Sequence, residues 1–157
     1  MLFNKKVKDL FMKTTKYDDI EMHDWWIALL AANFGKIYFI DQKLVLYRQH
    51  GSNTVGAGHN GGIVKKFFHT DILKRQEKLV NVSYRQAKTF FEQYEQQLDS
   101  RKHNLLLELV NCEYKGFLAR RKFFKTYDLQ GTSPLRTVVY RYLFIFRLKR
   151  ILSTSYR

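Results

Sequence analysis

Five side chains in the first third of the chain have types and spacings suited to chemistry. Asp24 opens an apolar run, and a carboxylate is favoured at a helix N-terminus by the free N–H groups and the dipole there. Trp25 and Trp26 follow, and an aromatic ring suits the C–H face of a sugar. Arg48 and His50 end a strand-like run and, being two apart, project to one side. Such a pair could contact a diphosphate, with the imidazole offered as a metal ligand.

Each of these residues also has a structural interpretation. Asp24 could act only as a helix cap, worth about 1 kcal/mol. Adjacent residues on a helix point about 100° apart, so Trp25 and Trp26 cannot both face the core. One is expected to pack inward, and core packing is the more frequent role for each singly. Arg48 and His50 would be surface residues on type alone.

A helix, a turn and two strands are predicted to position these side chains. The helix runs from Asp24 to Phe34, with Gly35 as a left-handed residue just past its end. Two β-rich runs follow, over residues 36–40 and 43–47, and Asp41–Gln42 between them is typical of a tight hairpin. The sequence therefore predicts a compact helix–hairpin unit.

The same stretch carries a family resemblance. It contains His-Asp-Trp-Trp from residue 23, Gly-Lys-Ile from residue 35 and Leu-Tyr-Arg-Gln-His-Gly-x-Asn from residue 46. This pattern resembles the C-terminal part of the catalytic domain in family 2 glycosyltransferases, closest to the rhamnosyltransferase-like members. The resemblance covers residues 1–58. The family's nucleotide-binding β/α half and its Asp-x-Asp are not matched, and no Asp-x-Asp occurs in this chain.

The resemblance implies a fold and a set of roles. The fold would be α/β and rich in helix: the C-terminal fragment of a GT-A-like catalytic domain with a short β-hairpin, followed by a helical tail. Asp24 matches the family's general base, which takes a proton from the acceptor hydroxyl in one inverting displacement. Arg48 and His50 match the element at the donor diphosphate and its divalent cation, Mg or Mn, with His50 as a metal ligand. Trp25 and Trp26 would bind the acceptor.

The function implied is part of an inverting, nucleotide-sugar-dependent glycosyltransferase in surface polysaccharide synthesis. Its partners would be a nucleotide-sugar donor and a saccharide or lipid-linked acceptor. The isolated chain is expected to be inactive, because the nucleotide-binding half is not matched. Five of the eight glycines lie between Gly51 and Gly62. They indicate either a segment that closes over the donor, as the resemblance implies, or a flexible linker.

Helices are predicted on both sides of this unit. Apolar spacing predicts a short helix within residues 2–12, one over 63–79, one over 84–98 capped by Ser83 with Gln86 three residues on, and one that begins near Arg101 and extends to Cys112 or to Phe117. Cys112 is expected to be a small core residue rather than a nucleophile. The chain is thus divided into a catalytic part (1–58), a helical extension (59–132) and a basic amphipathic C-terminal helix (133–157).

Positive charge is concentrated at the C-terminal end. The net charge is +14, and residues 113–157 hold 11 basic and two acidic side chains, which indicates an anionic partner. A helix beginning at Ser133-Pro134 is apolar almost all round from Leu135 to Leu152, with Arg136, Arg147 and Arg150 in one sector. It would either lie on an anionic membrane surface or pack against a partner domain.

Cellular location follows from what the sequence contains. A single cysteine cannot form an internal disulfide, and no signal peptide or bilayer-length apolar run is visible. The expected location is cytoplasmic, including a peripheral position on the inner face of the membrane. The alternative function is a small basic helical module that binds membrane or nucleic acid. Nucleic acid is the less favoured partner, because the C-terminal aromatics sit in apolar runs and no nucleic-acid-binding motif is present.

Overall fold

A computed structural model describes residues 2–17, 20–42 and 70–154, which form seven α-helices and their connections. A 3₁₀ turn over Glu95–Gln97 follows the third helix, and a π-helical segment over Leu143–Arg147 joins the last two. The helices are α1 (Lys5–Met12), α2 (His23–Phe34), α3 (Thr70–Tyr94), α4 (Ser100–Asn111), α5 (Phe117–Tyr127), α6 (Pro134–Tyr142) and α7 (Leu148–Ser153).

The predicted α/β fold class is wrong, because the described ranges contain helices and no strand. The first predicted strand, residues 36–40, has no regular structure, and its four apolar side chains are exposed. β-propensity measures how well a side chain fits a paired, half-buried surface, so an apolar run without such a surface gains nothing from it. The second predicted strand, residues 43–47, lies outside the described residues.

Helix α2 is present where the sequence predicts it, starting one residue earlier at His23. Its end differs from the prediction. Gly35 has φ −151°, which is extended rather than left-handed, and its N–H donates to the Ala31 carbonyl over 3.0 Å. The helix is therefore followed by a residue with extended backbone. The position has no positive φ that would require glycine.

Helix α3 is one continuous helix of 25 residues, where the sequence predicts a break at Ser83. The Ser83 hydroxyl donates to the Leu79 carbonyl over 2.7 Å, which is the usual bond of a serine inside a helix. The apolar face continues across this point, so a serine that could cap a helix lies in the middle of one.

The first core cluster surrounds Trp26, which is 0% exposed. Its indole N–H donates to Thr14 Oγ1 over 3.0 Å, and Thr14 Oγ1 lies 3.3 Å from Tyr94 Oη, which donates to the Leu10 carbonyl. This chain of bonds connects the end of α1 with α2 and α3. The cluster comprises Val7, Trp26, Ile27, Leu30, Ala87, Phe90, Phe91, Tyr94 and Leu106.

The second core cluster joins the earlier turns of α3 to the C-terminal helices. It comprises Val80, Tyr84, Cys112, Phe123, Phe124, Leu143, Phe144, Ile145, Leu148 and Ile151. Residues of the predicted extension and of the predicted C-terminal helix thus share one core. Helix α3 contributes to both clusters, Ala87 and Phe90 to the first and Val80 and Tyr84 to the second.

The C-terminal helix begins as predicted, with the Ser133 hydroxyl accepting from the Arg136 N–H and Pro134 in the first turn. Much of its apolar surface is buried in the chain's own core, and Arg147 pairs with Glu77 over 2.7 Å. Helix α5 has no counterpart among the predicted helices. The sequence feature that indicates α5 is the helical spacing of Phe123, Phe124 and Tyr127 after Gly116. Four basic residues interrupt this short apolar pattern, which makes it weak.

Candidate functional site

Asp24 lies in the first turn of α2 with its side chain exposed. Its Oδ1 accepts a hydrogen bond from the Trp25 N–H over 2.9 Å. The N-cap residue, Met22, makes no side-chain capping bond, so Asp24 is the acidic group that faces the positive end of this helix. The carboxylate is therefore oriented by the backbone and accessible to a hydroxyl group from solvent.

The two tryptophans have opposite environments. Trp26, predicted with Trp25 to bind an acceptor, is fully buried and is instead a core residue whose N–H is satisfied by Thr14. Trp25 is 39% exposed. Only Trp25 can present a ring to a ligand at the surface of α2.

Trp25 lines an open groove of about 410 Å³ between α2 and the middle of α3. The α2 residues at this groove follow helical spacing, which places them on one face. Several are alanines, so the facing stripes of the two helices leave space between them. The lining residues are Trp25, Ala28, Leu29, Ala32, Ile37, Ser83, Gln86 and Ala87. We call this the α2 groove.

Gln86 supplies the α2 groove with an unusual polar group. Its side chain is 3% exposed, and its Oε1 is buried without a hydrogen-bond partner within the described part of the chain. An unsatisfied buried acceptor costs about 1–3 kcal/mol. Sequence reasoning assigned Gln86 only to a helix cap with Ser83, so this residue was missed as a site candidate.

The predicted donor-binding residues are Arg48 and His50. Arg48, His50 and the glycine-rich segment from Gly51 to Gly62 lie outside the described residues. Across residues 2–17, 20–42 and 70–154, no group of three His, Cys, Asp or Glu side chains could hold a metal ion. The roles of Arg48 and His50, and of Mg or Mn, stay predictions from the resemblance.

Cys112 is confirmed as a core residue, with 0% of its surface exposed. Burial raises the pKa of its thiol to about 11, so the thiolate needed for nucleophilic attack is scarce at neutral pH.

Comparison with protein-family models, curated proteins and solved structures gives no match to this chain. None of the helices in the described ranges combines the length and apolar character needed to cross a bilayer.

Proposed function

We propose that this chain is the downstream part of an inverting, nucleotide-sugar-dependent glycosyltransferase of the rhamnosyltransferase-like type, with Asp24 as its general base. The observation that carries the proposal is the exposed Asp24 carboxylate in the first turn of α2, directly before the ring that lines the α2 groove. The motif resemblance over residues 23–53 supplies the reaction class.

The proposed reaction is a single displacement. An acceptor hydroxyl attacks the anomeric carbon of the donor sugar while Asp24 takes the hydroxyl proton. A C–O bond forms to the acceptor oxygen, the bond from the anomeric carbon to the diphosphate oxygen breaks, and the nucleoside diphosphate leaves with that electron pair. Attack opposite the leaving group inverts the configuration.

The α2 groove is proposed to hold the saccharide acceptor. The Trp25 ring would lie against the C–H face of a sugar. By resemblance alone, Arg48 and His50 would contact the donor diphosphate and a divalent cation, Mg or Mn, which neutralises charge on the leaving group.

The test is sugar transfer by this chain joined to the nucleotide-binding half of a rhamnosyltransferase-like enzyme. Asp24→Asn should lower turnover by about 10²–10⁴-fold, the usual contribution of a general base, with donor binding retained. Glu21→Gln is the matched control, because Glu21 is an exposed acid three residues earlier.

The proposal fails on either of two results. One is a fusion that is folded and binds the donor but transfers no sugar. The other is an Asp24→Asn fusion whose turnover equals that of the Glu21→Gln control.

The proposed setting is synthesis of a surface polysaccharide from a saccharide or lipid-linked acceptor at the cytoplasmic face of the membrane. The positive charge of residues 113–157 supports it, since such charge favours an anionic surface.

A further inference from the structure

A second groove, of about 400 Å³, lies between the start of α5 and the π-helical segment. Three of its lining residues are basic, and none is acidic. The lining residues are Lys115, Gly116, Phe117, Arg120, Ile145, Phe146 and Lys149. We call this the basic groove.

Arg120 is a buried cation at the base of this groove, with 4% of its surface exposed. Its Nε donates to the Cys112 carbonyl over 2.8 Å, its Nη1 to the Ile145 carbonyl over 3.2 Å and its Nη2 to the Glu113 carbonyl over 3.4 Å. These acceptors are neutral carbonyls, so the hydrogen bonds satisfy the guanidinium without neutralising its charge. A bound anion would supply the missing negative charge.

Aromatic side chains border the basic groove on its open side. Phe117 and Phe146 are 53% and 61% exposed, and their rings stack with centroids 6.2 Å apart. Tyr142, also exposed, lies 5.4 Å from the Phe146 ring. Large exposed aromatics beside clustered cations are typical of surfaces that sit at the boundary between lipid headgroups and acyl chains.

We propose that this surface binds an anionic phospholipid membrane, with a lipid phosphate over Lys115, Arg120 and Lys149 and the rings of Phe117, Tyr142 and Phe146 in the interfacial layer. The site differs from the arginine sector that the sequence suggested, in which Arg147 is paired with Glu77. It does not depend on the proposed transferase activity.

Single-stranded nucleic acid is the competing anionic partner, and the ring geometry disfavours it. A base stacks on an open aromatic face, whereas Phe117 and Phe146 stack on each other at an interplanar angle of 19°. One face of each ring is thereby covered, which leaves fewer faces on which a base could stack.

The test is flotation of the full chain with vesicles of phosphatidylcholine, with and without phosphatidylglycerol. Binding should require the anionic lipid and weaken with salt. Lys115→Glu/Lys149→Glu should bind at least about 25-fold more weakly, since each lysine near an anionic leaflet contributes about fivefold. Lys5→Glu/Lys6→Glu makes the same change in net charge on α1, which packs in the other core cluster, and should bind much as wild type does.

Aromatic variants test the apolar part of the surface. Phe117→Ser/Phe146→Ser should weaken flotation, whereas Phe3→Ser/Phe39→Ser, which alters exposed rings elsewhere, should not. Circular dichroism establishes that each variant is folded.

Three results would overturn the proposal. The α1 lysine variant could lose binding as fully as the groove variant, which would leave only net charge as the cause. The chain could fail to float with anionic vesicles. A single-stranded oligonucleotide could compete all anionic vesicles away through Lys115 and Lys149, which would assign the groove to nucleic acid.

Discussion

Two neighbouring residues, Trp25 and Trp26, differ completely in environment although their types are identical. The sequence predicts that they point in different directions, because a helix turns about 100° per residue. It does not say which one is buried. The deciding partner is Thr14, whose hydroxyl oxygen accepts the Trp26 indole N–H from 12 positions earlier in the chain. That pairing depends on how α1 packs against α2, which local sequence does not encode.

Thr14 offers a stability test of this arrangement. Thr14→Val keeps the shape of the side chain but removes the acceptor, leaving the Trp26 indole N–H buried and unsatisfied. We expect the free energy of unfolding to fall by about 1–3 kcal/mol, measured by urea denaturation.

The control for that measurement is the next residue. Thr15 is exposed, so Thr15→Val should change the free energy of unfolding by no more than about 0.5 kcal/mol. Equal midpoints for the two variants would show that Trp26 does not depend on Thr14.

At the scale of elements, α3 shows how local signals mislead. Ser83 and Gln86 have the spacing of a helix start, yet both lie inside a 25-residue helix. Both residues line the α2 groove, and the amide oxygen of Gln86 is buried without a partner in the described part of the chain. Their true role depends on α2 lying alongside, a contact between segments far apart in sequence.

Replacing two serines by alanine distinguishes a helix interior from a helix start. Ser83→Ala should change the free energy of unfolding by no more than about 0.5 kcal/mol, because alanine is the better residue inside a helix but the bonds of the Ser83 hydroxyl to Leu79 and Tyr140 are lost. Ser133→Ala should destabilise it by about 1 kcal/mol, because the Ser133 hydroxyl accepts the Arg136 N–H at the start of α6.

Thermal and urea unfolding of both variants check this contrast. Loss of stability in Ser83→Ala comparable to that in Ser133→Ala would contradict this contrast.

The sequence located α1, α2, α4 and the start of α6, where the apolar spacing is helical. It failed at residues 36–40, since a β-rich run needs a paired neighbour before it becomes a strand. It also missed the π-helical segment. There the Ile145 carbonyl accepts a bond from Arg120, 25 residues earlier, and no local pattern indicates that contact.

At the scale of the whole molecule, two grooves of different character lie at different core clusters. The α2 groove is almost entirely apolar and contains residues of the first cluster, whereas the basic groove contains Ile145 of the second. Composition revealed the excess of positive charge but not where it gathers, because Lys115, Arg120 and Lys149 come from separate elements.

The candidate site was only partly predictable from the sequence, because its residues come from separate elements. Asp24 and Trp25 are adjacent and belong to a recognisable pattern, so the sequence alone indicates them as candidates. Gln86 reaches the α2 groove only because α3 packs beside α2, and nothing in its own neighbourhood marks it as a ligand-binding residue. Residues that are neighbours in sequence could be predicted, whereas a residue that joins the groove through a contact between distant segments could not.

The central claim, that the exposed end of α2 is the acceptor side of a sugar-transfer site, is tested most directly by the kinetics of Trp25→Ala in the fused enzyme. Loss of the ring should raise the acceptor KM about tenfold with kcat little changed, because an aromatic platform contributes binding in the ground and transition states alike. Tyr114→Ala, which removes an exposed ring far along the chain, is the control. An acceptor KM that is the same for Trp25→Ala and Tyr114→Ala would contradict the account.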